Sequence, residues 1–147
     1  MLFPLCLKSH LAENQKYFTG TNPSVGCVIT KNNKIISYGV TGKNGRPHAE
    51  INAINKKKSK DLYNSSIYVT LEPCTHYGKT PPCTNTLIKK KFKKVFFSHT
   101  DEDIRTRNTA KNILEKYKIN VKNNFIIIKT KKLYSEYDFI RKNNFPY

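Results

Sequence analysis
A chain of 147 residues has room for one hydrophobic core and not for two in series, so a single domain over 1–147 is expected. Hydrophobic residues make up 37% of it and aromatic ones 12%, which excludes a disordered tail, and no apolar run approaches the roughly 20 residues of a membrane-spanning helix. Twenty-seven basic against ten acidic residues give a net charge of +17, a balance common in nucleic-acid-binding domains, yet only four of the cations are Arg, the fork suited to phosphates and bases.

From Leu2 to Phe18 apolar residues recur at helical spacing, Leu5, Leu7, Leu11 and Phe18 among them, and Thr19-Gly20-Thr21-Asn22-Pro23 ends this first helix. Val25 to Thr30 and Ile35 to Val40 are β-branched runs joined by Lys31-Asn32-Asn33-Lys34, a hairpin pattern. A glycine-punctuated loop, Gly39 to Pro47, leads to a helix from His48 that ends in the lysine run at 56–58, and Ser66 to Leu71 follows as a strand. Beyond a long loop, Leu87, Ile88 and Phe92 indicate a helix after Cys83, and Val95-Phe96-Phe97 a strand. Arg105 to Lys118 reads as helix, Ile119 to Ile128 as strand material interrupted at Asn123-Asn124, and Leu133 to Ile140 as a last helix. This order, αββαβαβαβα, predicts an α/β fold: a mixed sheet with helices on both faces and an antiparallel hairpin at its start.

Four cysteines without a leader sequence read as thiols, with Cys6 and Cys27 in apolar runs as small buried residues. Cys74 and Cys83 differ. Together with His48 they offer one imidazole and two thiolates, three good zinc ligands that leave a fourth position open for water, the catalytic arrangement. A closed structural site would need one more ligand, which His10, His76, His99 or Cys27 could supply.

His48 and Glu50, two apart, can address one site only from a helix end, and Pro47 favours that placement. The same holds for Cys83 after Pro81-Pro82, where free N–H groups and the helix dipole stabilise a thiolate. Glu50, not needed as a ligand, is placed to carry a proton from water to a ring nitrogen and a leaving amine. His-x-Glu with Pro-Cys-x-x-Cys is the signature of zinc nucleobase deaminases; here the second cysteine comes six residues later.

That delayed spacing, Cys74-Thr75-His76-Tyr77-Gly78-Lys79-Thr80-Pro81-Pro82-Cys83, resembles the deaminase domain of the bifunctional riboflavin-biosynthesis deaminase/reductase family. Asn22-Pro23-Ser24-Val25-Gly26-Cys27, Gly45-Arg46-Pro47-His48-Ala49-Glu50 and Tyr68-Val69-Thr70-Leu71-Glu72-Pro73-Cys74 resemble three further segments of it. The resemblance implies a three-layer α/β/α, cytidine-deaminase-like sandwich with an about five-stranded sheet. It implies one Zn²⁺ on His48, Cys74 and Cys83, and Glu50 as proton shuttle. It places Asn22, His76, Lys79, Asp101 and Asp103 around a small phosphorylated pyrimidine, which would lose its 2-amino group by hydrolysis.

Two places depart from the family pattern: Thr41 stands where many members carry histidine, and Asp101 to Asn108, of which Asp101 and Asp103 carry over, replaces a proline- and glycine-rich turn. The chain ends at Asn144-Phe145-Pro146-Tyr147, resembling the junction before the reductase, so no NADPH-dependent reduction is expected and a separate reductase is a candidate partner. The resemblance further implies a homo-oligomer. A cytoplasmic location is expected, with neither membrane nor nucleic acid as partner.

Overall fold
The structure, a computed structural model, describes residues 2–123 and 128–143. In chain order its elements are α1 (Leu2–Gln15), β1 (Gly26–Lys31), β2 (Lys34–Val40), α2 (Ala49–Asn55), α3 (Ser59–Leu62), β3 (Ser66–Leu71), α4 (Cys83–Lys89), β4 (Lys94–His99), α5 (Ala110–Lys116), β5 (Asn120–Lys122) and α6 (Ile128–Lys142). The five strands form one sheet in the order β2-β1-β3-β4-β5. β1 is antiparallel to both β2 and β3, while β3, β4 and β5 run parallel.

The hairpin turn falls on Asn32 and Asn33, with φ of 50° and 60°, the left-handed pair that matches the twist of two antiparallel strands. Side chains alternate across the sheet as the period of two demands. Tyr68 and Phe96, paired in register, stack at 4.5 Å beneath Leu5 of α1. Thr70, two residues on, meets the Tyr134 hydroxyl of α6 at 2.6 Å. The alternate positions Cys27, Ile29, Ile67, Val69, Val95 and Phe97 enter the main core with Ala53 of α2, Leu87 of α4 and Leu114 of α5. Helices α1 and α6 touch one another on one side, and α2, α4 and α5 pack in a row. The result is the expected three-layer sandwich. Gly39 lets α2 lie directly on β2: a Cβ there would stand 2.3 Å from the Ala49 carbonyl oxygen.

Several boundaries differ from those expected. The first helix stops at Gln15 and Phe18 is exposed. Its buried stripe is Leu5, Lys8, Ser9 and Ala12, because Lys8 reaches between two strands, donating to the Val69 carbonyl at 2.8 Å and to the Ser98 hydroxyl. That rotation turns Cys6 outward, so it is exposed and not the buried residue expected; Cys27 is buried. The short α3 was not foreseen. β5 covers only Asn120–Lys122 and α6 begins at Ile128, while the rest of the expected last strand, 124–127, and the terminal residues 144–147 lie outside the described residues. Among the described residues no helix is long and apolar enough to cross a membrane.

Candidate active site
The carboxyl ends of the adjacent parallel strands β3 and β4 open a crevice, the usual ligand position in such sheets. β3 runs from Leu71 into Glu72-Pro73-Cys74, and β4 from His99 into Asp101. Two short helices close in. His48 is the N-cap of α2, with Pro47 one residue earlier, and Pro82 caps α4 so that Cys83 is its first residue. The His48 Nδ1 lies 3.3 Å from Cys83 Sγ and 3.6 Å from Cys74 Sγ, and the three donor atoms fall within 4.8 Å of one another.

These distances fit a tetrahedral zinc, whose bonds of about 2.3 Å to sulfur and 2.1 Å to nitrogen put unlike ligands about 3.6 Å apart. The donor chemistry fits too. The Cys83 amide at the start of α4 donates to Cys74 Sγ at 3.2 Å. Hydrogen bonding from the Cys83 thiol, then from His48 and that amide, holds the Cys74 thiol down at about 4 despite its burial. The same sulfur contact, with burial, pushes the Cys83 thiol up. A dication in place of the thiol proton would satisfy both sulfurs. The residues that could have closed the site do not converge on it: His76 Nδ1 bonds Thr106 Oγ1 at 3.0 Å and His99 pairs with Asp138 at 2.7 Å. Among the described residues the cluster holds three such groups, which leaves a tetrahedral centre one position open.

Glu50, in the first turn of α2, is 4% exposed. Burial raises its carboxyl above the usual range, His48 pulls it back down, and the Cys74 charge raises it again. A buried carboxyl biased toward holding a proton suits proton transfer.

One cavity of about 270 Å³ is lined by eight of the nine residues singled out from sequence: Asn22, His48, Glu50, Cys74, His76, Lys79, Asp101 and Asp103. The ninth, Cys83, is in contact with His48 and is itself buried. Asn22 is placed by Gly45, whose φ of +84° and missing Cβ let the Asn22 amide pass where a Cβ would stand 2.1 Å away. Thr41 accepts the Val25 N–H at 2.9 Å and so braces the segment after Asn22.

The far part of the cavity is built differently. The Glu72 carboxylate accepts the amides of Asp101 at 3.2 Å, Asn108 at 3.1 Å and Ala110 at 3.0 Å. That capture holds 104–109 in turns and delays α5 to Ala110, where the sequence suggests helix from Arg105. Asp101 accepts the Asp103 amide and the Tyr137 hydroxyl, each at 2.9 Å, and burial raises its carboxyl to about 6. Hydrogen bonds from Arg105 hold Asp103 down at about 2.

Arg46, Glu72, Arg105, Tyr137 and Arg141 also line the cavity and are not among the site residues that the sequence singles out. Glu72 had a signal, since it stands two residues before a ligand-type cysteine. Tyr137 and Arg141 had none, because only the packing of α6 brings them in.

A histidine and two thiols around an open position, beside a buried carboxyl, define a metal-dependent hydrolase. Residues 5–99 match the model of the cytidine and deoxycytidylate deaminase zinc-binding region. The diaminohydroxyphosphoribosylamino-pyrimidine deaminase of Buchnera aphidicola (Acyrthosiphon pisum, strain APS) is 41% identical over 137 residues, 92% of each chain. The riboflavin biosynthesis protein RibD of Aquifex aeolicus is 44% identical over 91 residues, 62% of this chain and 25% of its own length. The solved structure of Acinetobacter baumannii RibD, form 1, superposes with a TM-score of 0.90 at 34% identity, over 99% of this chain and 40% of its own. The chain belongs to the cytidine and deoxycytidylate deaminase family, and it is a hydrolytic deaminase whose family cofactor is zinc.

Proposed function
We propose that the protein converts 2,5-diamino-6-ribosylamino-4(3H)-pyrimidinone 5′-phosphate to 5-amino-6-ribosylaminouracil 5′-phosphate and ammonia, a step of riboflavin biosynthesis. The observation that carries this reading is the loop between Cys74 and Cys83. Its six extra residues bring His76 and Lys79 onto the cavity wall beside the zinc-ligand cluster, giving a polar substrate end that a two-residue spacer could not supply. The 41% identity to the Buchnera deaminase supports the same substrate.

In this reading His48, Cys74 and Cys83 hold zinc, and zinc supplies the Lewis acidity that lets water lose a proton near neutral pH. Glu50 takes that proton and delivers it first to the ring nitrogen next to C2. As the water oxygen bonds to C2 and that ring nitrogen gains the proton, Glu50 is free to take the proton left on the C2 hydroxyl and pass it to the exocyclic nitrogen, so that the C2–N bond breaks, the C2=O bond forms and ammonia leaves. Asn22, His76, Lys79, Asp101 and Asp103 bind and orient the substrate. The chain over 1–147 acts as a deaminase domain, copies of it associate, and a reductase consumes the uracil product.

Ammonia release from the phosphorylated diamino-pyrimidinone by zinc-loaded protein tests the assignment, with cytidine and an RNA oligonucleotide as comparison substrates. Release from the first substrate alone is expected. Activity on RNA alone would move the function to nucleic acid, where the +17 charge would find its use.

A further inference from the structure
Three of the chain's four arginines, Arg46, Arg105 and Arg141, line the cavity, in a chain with 23 lysines of which Lys79 alone lines it among the described residues. Arginine is thus concentrated where a small anionic ligand would sit. We infer that Arg105 and Arg141 are the residues that read the substrate's phosphate, at the end of the cavity formed by the Asp103 turn and α6. This rests on the reading that the substrate is phosphorylated.

Charge stoichiometry is the first support. Asp103 Oδ2 faces Arg105 Nη2 at 2.5 Å and Arg141 Nη1 at 3.8 Å. Two guanidinium groups therefore converge on one carboxylate, and the trio by itself carries one net positive charge, while Asp101, another acid of the same cavity, is turned to the Tyr137 hydroxyl. The nearby cations Arg107 and Lys142 share a different carboxylate, Glu102, at 3.5 and 3.3 Å, and neither lines the cavity.

Rigidity is the second. Asp103 is 6% exposed, and its Oδ1 accepts both Nε and the backbone amide of Arg105, at 2.8 and 3.1 Å. A guanidinium has five N–H groups and this carboxylate engages two of them, so Arg105 retains donors for a phosphate oxygen. Arg141 lies 5.4 Å over the Tyr137 ring, and Tyr137 is itself fixed by Asp101. Planes set in advance are what bidentate phosphate recognition needs. On the metal-bearing wall Arg46 has one N–H on the Thr80 hydroxyl and no ion pair with a carboxylate among the described residues, and Lys79 is a point charge; Lys79 and Arg105 are both exposed, but Arg105 has its plane set by Asp103.

The test compares the phosphorylated substrate with its dephosphorylated nucleoside for the zinc-loaded wild type, Arg141→Met, Arg105→Gln and Lys79→Met. Binding of ribose 5-phosphate to each is followed by calorimetry. Each arginine variant should raise KM for the phosphorylated substrate about ten- to hundredfold, with kcat within about threefold and a far smaller loss in the nucleoside's kcat/KM. Its affinity for ribose 5-phosphate should fall in parallel. Equal losses on both substrates would reduce the arginines to a structural role and overturn the inference. So would an unchanged preference in the arginine variants beside a collapsed one in Lys79→Met. Should the wild type fail to deaminate the substrate at all, the proposed function falls and ribose 5-phosphate alone decides. Weaker binding in the arginine variants would then uphold the phosphate site, while equal or absent binding in all four proteins would overturn it.

Discussion
The wall of the cavity from Pro47 to Cys83 is held by two helix ends that meet through the His48 imidazole and the Cys83 thiol, whereas the wall from Asp101 to Ala110, with α6 behind it, is held by carboxylates that catch backbone amides. The first arrangement fixes atoms within 4.8 Å of one another and suits bond-making on a metal. The second spreads hydrogen bonds over ten residues and suits the grip of a larger polar ligand. Reaction and recognition are thus placed on elements that can vary separately.

The separation breaks most visibly at Glu50. In Glu50→Gln the fold and one zinc per chain should persist while kcat falls by about 10²–10⁴-fold, read by metal analysis, thermal melting and ammonia release. KM should stay within a few-fold. A KM loss as large as the kcat loss would show that the metal wall also carries binding and would erase the distinction.

Glu72 belongs to the other side of the comparison although it stands on the first wall's strand. A glutamine there keeps one acceptor and turns the other into a donor aimed at amide N–H groups. Glu72→Gln should cost about 1–3 kcal/mol in denaturant melts and raise KM more than it lowers kcat. Faster hydrogen exchange should be confined to Asp101, Asn108, Thr109 and Ala110, whose amides face its carboxylate. Loss of zinc in this variant would mean that the walls are one unit.

The two walls were also unequally legible in the sequence. His48, Glu50, Cys74 and Cys83 could be read because prolines mark both helix starts and because few residue types bind zinc, so short-range spacing carries the information. Asn22, His76 and Lys79 came with the same motifs. Nothing local announces Arg141, whose partner Asp103 is 38 positions earlier by residue number, or the delayed start of α5, which is decided by a carboxylate on another strand. The buried stripe of α1 was misjudged for a related reason. Lys8 looks like a solvent-facing residue until β3 and β4 present it with two acceptors.

Lys8 offers the smallest and most instructive test, because the strands it bridges are those that end in the two walls. Burial lowers its ammonium to about 7, against the pull of Cys27 in the other direction, from an ordinary value of 10.5. Between those two values the unfolded chain binds the proton and the folded one does not, so stability should rise with pH from about 7 toward 10.5; below about 7 this group adds no slope. The rise is at most about 2 kcal/mol between pH 7 and 8.5, or roughly 4–8 °C in Tm. Cysteine thiols titrate in the same window, so the quantity to compare is the slope of the wild type minus that of Lys8→Met, which keeps the length and drops the charge. A clear positive difference identifies Lys8 as a neutral strap beneath both walls; equal slopes would mean that it stays charged in the fold and that the two strands are joined by a buried ammonium.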